Sequence, residues 1–333
     1  MSQDNFVEAE KNRQIFFKKT SPFFSEGARE DGPYGRYIVP YCLPKEFAEE
    51  NLFSEIREEA IKYFANNKIE WHRRGWNHLL SSQTFCVNFL FPFSENLSAL
   101  QELFRPFLPM LQTVDQIEKD RFISFEWNGI KNYLNEVGHG SRGSMSTCPD
   151  AAILFKDNNF DSHILLIEWK FTETYKGNSK ALGKSGERRK DTYRPFYESD
   201  DCPIIDKSLL PDDTDAALKE LFYEPFYQLL REQLLAHEME KDKDLSIKSA
   251  ILCHISPSRH VELSRNIPSV TLRKYGNSIT KVWKSLMREP SKFLSISTED
   301  LFRSFPINKF PELKSWRQYM GSRYSWLLNH ETA

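Results

Sequence analysis

The chain has 333 residues, of which 40% are hydrophobic and 28% are charged, and its formal net charge is −2. This is the composition of a globular protein of one or two domains, and we favour one elaborated domain. No apolar run approaches the roughly 20 residues that cross a bilayer, and the charged start lacks the apolar core of a signal peptide, so we expect a cytoplasmic protein. A net charge this small excludes a positive electrostatic field over the whole protein that would attract polyanions. Nucleic-acid contacts would therefore depend on local basic patches.

The first third of the chain predicts mainly helices. Apolar residues recur at helical spacing among acidic residues after Lys45, and serines at 81 and 82 suit the start of a further helix. The first strand-like run is RFISFEWNG. The expected elements are an irregular lead-in over about 1–35, helices over about 45–67, from Ser81 or Ser82, and over about 96–111, and a strand over 121–129.

The middle of the chain predicts a β-hairpin followed by helices. The runs TCPDAAILF and HILLIEWKFTETY are β-like and flank the turn sequence KDNNFDS. A polar stretch over about 176–213 resembles a loop, the two runs over 215–242 are helical, SIKSAILCHISP is a strand, and the remainder looks mostly helical. This order predicts an α/β fold with helices on both faces of one mixed sheet.

Three charged residues are positioned by the predicted hairpin. Side chains alternate along a strand, so Glu168 and Lys170 share one face while Trp169 points to the other. A turn near 157–161 would bring Asp150 beside Glu168. Two adjacent carboxylates repel each other unless a cation lies between them, and hard oxygen ligands at a sheet edge suit Mg²⁺. Such an ion could polarise a scissile phosphate and activate water.

The sequences Pro149-Asp150 and Glu168-Trp169-Lys170 resemble the motif of the PD-(D/E)XK nuclease superfamily, whose members share the restriction-endonuclease-like fold. The longer context is similar to a subfamily of bacterial restriction-endonuclease-like proteins and covers most of the chain. The resemblance implies that Asp150 and Glu168 bind Mg²⁺, with Mn²⁺ as a substitute. It also implies that the main-chain carbonyl of Trp169 adds a ligand and that Lys170 is the catalytic lysine.

The resemblance divides the chain into three parts. Residues 1–70 would form an N-terminal arm and a helix that packs on the core, residues 71–260 the nuclease core, and residues 261–333 a helical extension of the same domain. The expected fold class is therefore α/β, with a restriction-endonuclease-like core and helical elaborations at both ends.

Many family members carry a further acidic ligand on the first core helix, but residues 79–94 contain no acidic residue. Gln83, Asn88 or the strand residue Glu126 could fill that place. Gln83 and Asn88 could equally be capping or core residues, and Glu126 a solvated strand residue. Gln228 resembles a polar residue that some members place near the active site, although a solvated helix position explains it as well.

A basic segment follows the predicted catalytic strand. Spaced basic residues with interleaved tyrosines can follow a phosphate backbone, but an ordinary solvated loop would have the same composition. The candidates for DNA contact are Lys176, Lys180, Lys184, Arg188, Arg189 and Lys190.

Other chemistry is weakly represented. His72 and His78 have no partner at a diagnostic spacing, and no Cys-His-Asn arrangement supports Cys148 as a nucleophile. The five cysteines are scattered and predict neither a disulfide framework nor a zinc site.

The sequence thus predicts a Mg²⁺-dependent DNA endonuclease of restriction or phage defence that uses metal-activated water. Alternatives are an exonuclease or RNA nuclease of the same fold, and a nucleic-acid binding module that does not cut. Asp150 could also be a turn residue, with Glu168 and Lys170 as a surface ion pair. The implied partners are DNA, a second copy of the chain in a homodimer, and proteins of a defence or restriction system.

Overall fold

The computed structural model describes residues 5–71, 75–137, 142, 146–175, 177, 179–204 and 207–328. Two short strands pair antiparallel as a separate hairpin, β1 (Gly32–Tyr34) and β2 (Tyr37–Val39). Six strands form the central sheet: β3 (Thr113–Asp115), β4 (Ser124–Phe125), β5 (Ala151–Lys156), β6 (Ser162–Trp169), β7 (Ser249–Ser256) and β8 (Phe293–Ser297).

The central sheet is mixed and runs in the order β3, β5, β6, β7, β8, with β4 also paired to β5. Strands β5 and β6 are antiparallel, whereas β7 is parallel to both β6 and β8. The turn between Lys156 and Ser162 closes the predicted hairpin and sets Ala151 opposite Ile167. That register places Asp150 next to Glu168, as the predicted turn near 157–161 required.

Helices surround the sheet, and none of the described helices is long and apolar enough to cross a membrane. They are α1 (Phe6–Thr20), α2 (Arg57–Asn66), α3 (Ser82–Leu90), α4 (Leu97–Phe104), α5 (Gly183–Glu198), α6 (Thr214–Leu221), α7 (Phe226–Glu240), α8 (Val261–Arg265), α9 (Ile279–Leu286), α10 (Thr298–Ser304) and α11 (Lys314–Arg323).

Each face of the sheet has its own apolar core. Ile167 and Trp169 of β6 pack into one cluster with α3 and the C-terminal helices. Leu166, on the opposite face of β6, packs into a second cluster with α6, α7 and α9. The α/β fold with a restriction-endonuclease-like core is thereby confirmed. Phe17 and Trp326 lie in the first cluster, so both ends of the chain contribute to the same core.

Two polar segments that were predicted to be irregular or loop-like contain helices. The lead-in contains α1, whose buried positions include Glu10, Gln14 and Lys18; polar residues on the inner face hide the apolar periodicity. The stretch over 176–213, predicted as a loop, contains α5. Its helical pattern was also hidden, because the buried face carries Gly186, Lys190 and two tyrosines.

Other predicted elements are shorter or of another type. The helix expected over 45–67 divides into a 3-10 helix, Lys45–Asn51, and α2. The helix expected over 96–111 ends at Phe104, two residues before Pro106, because a proline has no backbone N–H with which to continue the helical hydrogen bonds. The strand expected over 121–129 is reduced to β4, since Glu126 has a positive φ of 49°. The C-terminal part contains a strand, β8, that the sequence did not reveal.

Candidate active site at the end of the central hairpin

An open cavity of about 490 Å³ lies where β5 begins and β6 ends. It is lined by six of the predicted catalytic, metal-binding and accessory residues and by several neighbours. Its lining consists of Tyr34, Gly75, His78, Leu80, Ser81, Ser82, Gln83, Glu126, Cys148, Asp150, Glu168, Lys170, Thr172, Glu173 and Gln228.

Asp150 is held in place by the neighbouring strand. Its Oδ2 accepts a hydrogen bond from the backbone N–H of Trp169 at 2.7 Å, and its own carbonyl accepts one from the N–H of Glu126 at 3.0 Å. The indole of Trp169 is buried on the opposite face against the rings of Phe85 and Phe89. Packing beneath the sheet therefore fixes the backbone that positions Asp150.

Glu168 and Lys170 form a buried pair on the face of β6 that α7 covers. Lys170 Nζ donates to Glu168 Oε1 and, at 2.6 Å, to Oε1 of Gln228. The amide Nε2 of Gln228 donates to the same Glu168 oxygen at 2.6 Å. Gln228 thus bridges the two charged residues from the first turn of α7, and the structure brings it to the site.

Glu168 and Lys170 each favour the ionised form of the other residue. Burial opposes ionisation of Glu168, but the Lys170 ammonium and the hydrogen bonds from Glu232 and Lys170 together lower the pKa of the carboxyl. Burial also disfavours the charged form of Lys170, yet the Glu168 carboxylate holds the pKa of this amine well above its usual range. Both residues are therefore ionised at neutral pH.

The surroundings of Glu126 and Asp150 act in the opposite direction and raise the pKa of both carboxyl groups. Burial, followed by repulsion from Glu168 and Glu126, raises the pKa of Asp150 well above its ordinary value. Burial raises the pKa of Glu126 to about 7, although a hydrogen bond from Gln83 Nε2 to its Oε1 at 2.7 Å works against that rise. Carboxyl groups are thus crowded and buried at this site.

A carboxyl group that sequence reasoning missed is Glu232. It lies one turn beyond Gln228 on α7, is 1% exposed, and interacts with Glu168. Burial, together with repulsion from Glu168, raises the pKa of Glu232 well above its ordinary value. The i, i+4 spacing from Gln228 was the available signal, because such residues share one face of a helix.

His254 was also missed, and it lies on β7 directly opposite Glu168. Burial, together with the nearby Lys170 charge, lowers the pKa of this imidazole to about 4, so it is neutral at physiological pH. A lone histidine within an apolar strand gives no sequence signal of its proximity to the site.

Asn88 is not brought to the cavity. Its Oδ1 accepts from Phe53 N at 2.7 Å, and its Nδ2 donates to the carbonyl of Asn51 at 3.0 Å. The side chain is fully buried on α3 and joins that helix to the preceding segment. Of the two amides considered on this helix, only Gln83 faces the carboxyl groups.

The predicted basic loop is the helix α5, and its residues have different environments. Lys180 precedes the helix, and Lys184 and Arg188 lie on it; all three are exposed. Arg189 donates to the Lys180 carbonyl at 3.0 Å, and Lys190 is buried between Glu187 and Asp215 at 2.9 and 3.3 Å. Lys176 lies outside the described residues.

The remaining candidates have structural contacts where they are described. His78 Nδ1 accepts from Leu80 N at 3.2 Å, and its ring packs against Tyr34 and Tyr41. The Sγ of Cys148 lies 3.3 Å from the hydroxyl of Ser146. His72 lies outside the described residues. No three His, Cys, Asp or Glu side chains within the described ranges converge closely enough to enclose a metal ion.

The chain was compared with protein families, curated proteins and solved structures. A family model described as "Restriction Endonuclease associating with ARP" matches residues 11–325, which is nearly the whole chain. No curated protein and no solved structure gives a significant match. With the mixed sheet and the clustered Asp150, Glu168 and Lys170 in view, the chain belongs to the restriction-endonuclease family that this model describes.

Proposed function

We propose that the protein is a Mg²⁺-dependent DNA endonuclease of the PD-(D/E)XK type. The observation that carries this proposal is the convergence of Asp150, Glu168 and Lys170 on one open cavity at the end of the β5–β6 hairpin. A protein that only binds nucleic acid gains nothing from carboxylates that repel phosphate, whereas a metal-dependent nuclease requires them.

The donor atoms around the cavity suit a hard divalent cation. Asp150, Glu168 and the Trp169 carbonyl would hold Mg²⁺, or Mn²⁺ in its place, and Glu126 is the candidate for the further acidic ligand. The raised pKa of Asp150 reflects its own burial and the repulsion of neighbouring carboxylates, and a cation would relieve that repulsion. When bound, the ion supplies positive charge that polarises the scissile phosphate and activates the attacking water.

The chain's own residues would orient the reaction. Lys170 carries a permanent charge at the cavity and would offset negative charge that builds on the phosphate in the transition state. Gln228 holds the Lys170 ammonium by a hydrogen bond of 2.6 Å, so the lysine is positioned before substrate binds. Gln83 would hold Glu126 towards the same space through its 2.7 Å hydrogen bond.

The exposed cations at the start of α5 would contact the DNA backbone. Lys180, Lys184 and Arg188 extend into solvent from a segment that directly follows the catalytic strand. Arg189 and Lys190 would instead support this surface, since a main-chain carbonyl and two carboxylates already bind them. Phosphate contacts of this kind contribute affinity without sequence preference.

The biological setting we propose is restriction or phage defence. The family description names association with ARP, so a partner protein of that designation would act with this chain on DNA. A homodimer would allow both strands of a duplex to be cut.

The deciding experiment is incubation with plasmid, linear and single-stranded DNA in the presence of Mg²⁺ or EDTA. We expect the plasmid to be nicked or linearised with Mg²⁺ and to stay intact with EDTA. Asp150→Ala and Glu168→Ala, each checked for folding by thermal unfolding, should not cut. Digestion of linear DNA only would indicate an exonuclease, and binding without any cutting under all metals would contradict the proposal.

A further inference from the structure

The hairpin of β1 and β2 protrudes at the rim of the candidate active site. Its register pairs Tyr34 with Tyr37, so Gly35 and Arg36 form a two-residue turn, in which Gly35 has a positive φ of 61° that suits glycine. Strand β2 is exposed at consecutive positions, Tyr37 and Ile38. Because consecutive strand residues point to opposite faces, solvent surrounds the tip on both sides.

The base of the hairpin is firmly attached. A side chain at Gly32 would place its Cβ only 1.9 Å from the carbonyl oxygen of Leu43, so the two backbones are in close contact. Asn77 Nδ2 donates to the carbonyls of Pro33 and Leu43 at 3.0 and 2.7 Å. A rigid base and an exposed tip are the properties of a projecting element that acts on a ligand.

Tyr34 connects this hairpin to the cavity. Its ring lies 5.1 Å from that of His78, and both residues line the cavity that contains Asp150 and Lys170. Tyr37, paired with Tyr34 across the hairpin, is therefore only one strand spacing away from a cavity-lining residue. The tip of the hairpin therefore adjoins the rim of the cavity that contains Asp150.

The tip has an unusual surface. Tyr37 is 59% exposed and Ile38 is 68% exposed, and they are the only adjacent pair among the described residues with large exposed apolar side chains. Next to them, Arg36 donates from Nε to the Tyr37 hydroxyl at 3.2 Å and makes no ion pair within the described part of the chain. A cation beside an aromatic and an aliphatic side chain is chemically suited to nucleic acid.

We propose that the tip of this hairpin enters the DNA beside the scissile phosphate, where Tyr37 and Ile38 pack against bases and Arg36 contacts the backbone. This inference rests on the proposed nuclease function and specifies how its substrate is held. The open cavity next to the hairpin and the positive charge of Arg36 favour DNA over a protein partner at this surface. Apolar side chains that enter a base step partly unstack it and kink the duplex, which would bend the backbone beside the target phosphate.

The test compares Tyr37→Ala/Ile38→Ala with the wild-type protein. The matched control is Phe160→Ala, which removes a 73% exposed ring from the turn at the other end of the β5–β6 hairpin. Binding of a mixed-sequence duplex, with 2-aminopurine at scattered adenine positions, is measured in Ca²⁺ over a range of salt. Tyr37→Phe/Ile38→Leu preserves the apolar contacts and serves as the rescue variant.

We expect the alanine pair to weaken binding by about tenfold or more, in the range of lost stacking contacts, and to abolish the fluorescence rise of unstacked 2-aminopurine. The slope of affinity against salt should stay unchanged, because no phosphate contact is removed. The control and the rescue variant should behave as wild type. Wild-type fluorescence and affinity in the alanine pair would overturn the hairpin proposal alone, while absence of DNA binding by the wild type would overturn the proposed function as well.

Discussion

The backbone N–H of Trp169 binds the carboxylate of Asp150 at 2.7 Å, between the two strand residues Glu168 and Lys170. One hydrogen bond therefore links the beginning of β5 to the end of β6 and aligns the whole motif. Asp150 has a structural contact as well as a proposed chemical role, and the two can be separated by substitution.

Asp150→Asn keeps an oxygen that can accept from Trp169 N and removes the charge. We expect it to be at least as stable as the wild type, because burial of the charge and its repulsion by Glu168 and Glu126 are removed, and to lose cleavage in Mg²⁺. Asp150→Ala also loses the acceptor for Trp169 N, so its unfolding free energy should be lower than that of Asp150→Asn by about 0.5–1.5 kcal/mol. Urea unfolding and plasmid cleavage check both variants. Normal cleavage by Asp150→Asn would exclude the residue as a metal ligand.

The start of α5 offers a test of the DNA surface. Lys184→Ala/Arg188→Ala removes two exposed cations and should reduce the dependence of DNA affinity on salt by up to about one unit of slope per lost contact. Lys190→Ala is the contrast, because its ammonium is buried between Glu187 and Asp215. That variant should lose stability and keep the slope. Equal slopes for the wild type and the double variant would remove α5 from the interface.

The two amides of α3 should separate stability from chemistry. Asn88→Ala leaves the N–H of Phe53 unpaired in the core, at about 1–3 kcal/mol for a buried group, and removes one of the two hydrogen bonds to the Asn51 carbonyl, which keeps that from Arg323. We expect a lower unfolding free energy with no change in the Mg²⁺ concentration needed for cleavage. Gln83→Ala should raise the Mg²⁺ concentration needed for cleavage and leave the unfolding free energy nearly unchanged, since it removes the hydrogen bond that positions Glu126. A raised Mg²⁺ requirement in Asn88→Ala alone would contradict this assignment.

The central hairpin could be predicted because its information is local. Alternation fixed the faces of Glu168 and Trp169, and the short turn fixed the partner of Asp150. Glu232 and His254 could not be found in that way, because α7 and β7 meet Glu168 only through tertiary packing. The helix α1 was not predicted because its inner face carries Glu10 and Lys18. Arg13 pairs with Glu10, and Lys18 donates to backbone carbonyls that lie 12 and 24 residues further along the chain.

His260 should make stability depend on pH. Its Nδ1 accepts from Leu263 N at 3.3 Å at the start of α8, so Nε2 carries the proton and donates to the Glu173 carbonyl at 2.9 Å. Burial lowers the pKa of the imidazole below 6.5, against the opposing effect of that hydrogen bond. The folded state therefore binds a proton less readily than the unfolded state.

As the pH falls below about 6.5, the unfolded chain gains a proton that the folded chain resists, and stability is lost by up to about 1.4 kcal/mol per pH unit. Above that pH the residue has no such effect. His260→Asn keeps a side-chain acceptor for the helix start and cannot titrate. Urea unfolding of both proteins between pH 7 and pH 5 should show the wild type losing more stability. Parallel pH curves would rule out His260 as the source.

Lys170 separates an enzyme from a binding module. A lysine that stabilises charge in the transition state contributes more there than in the ground state, so Lys170→Met should slow cleavage by roughly 10² or more. Its ammonium binds Glu168 and Gln228, so the variant will also unfold at a lower temperature, and rates must be compared well below that transition. The measurement is single-turnover cleavage at saturating DNA, alongside a binding isotherm in Ca²⁺. Affinity should change far less than the rate. A variant that binds weakly but cuts saturating DNA at the wild-type rate would make Lys170 a phosphate anchor and remove it from the chemistry.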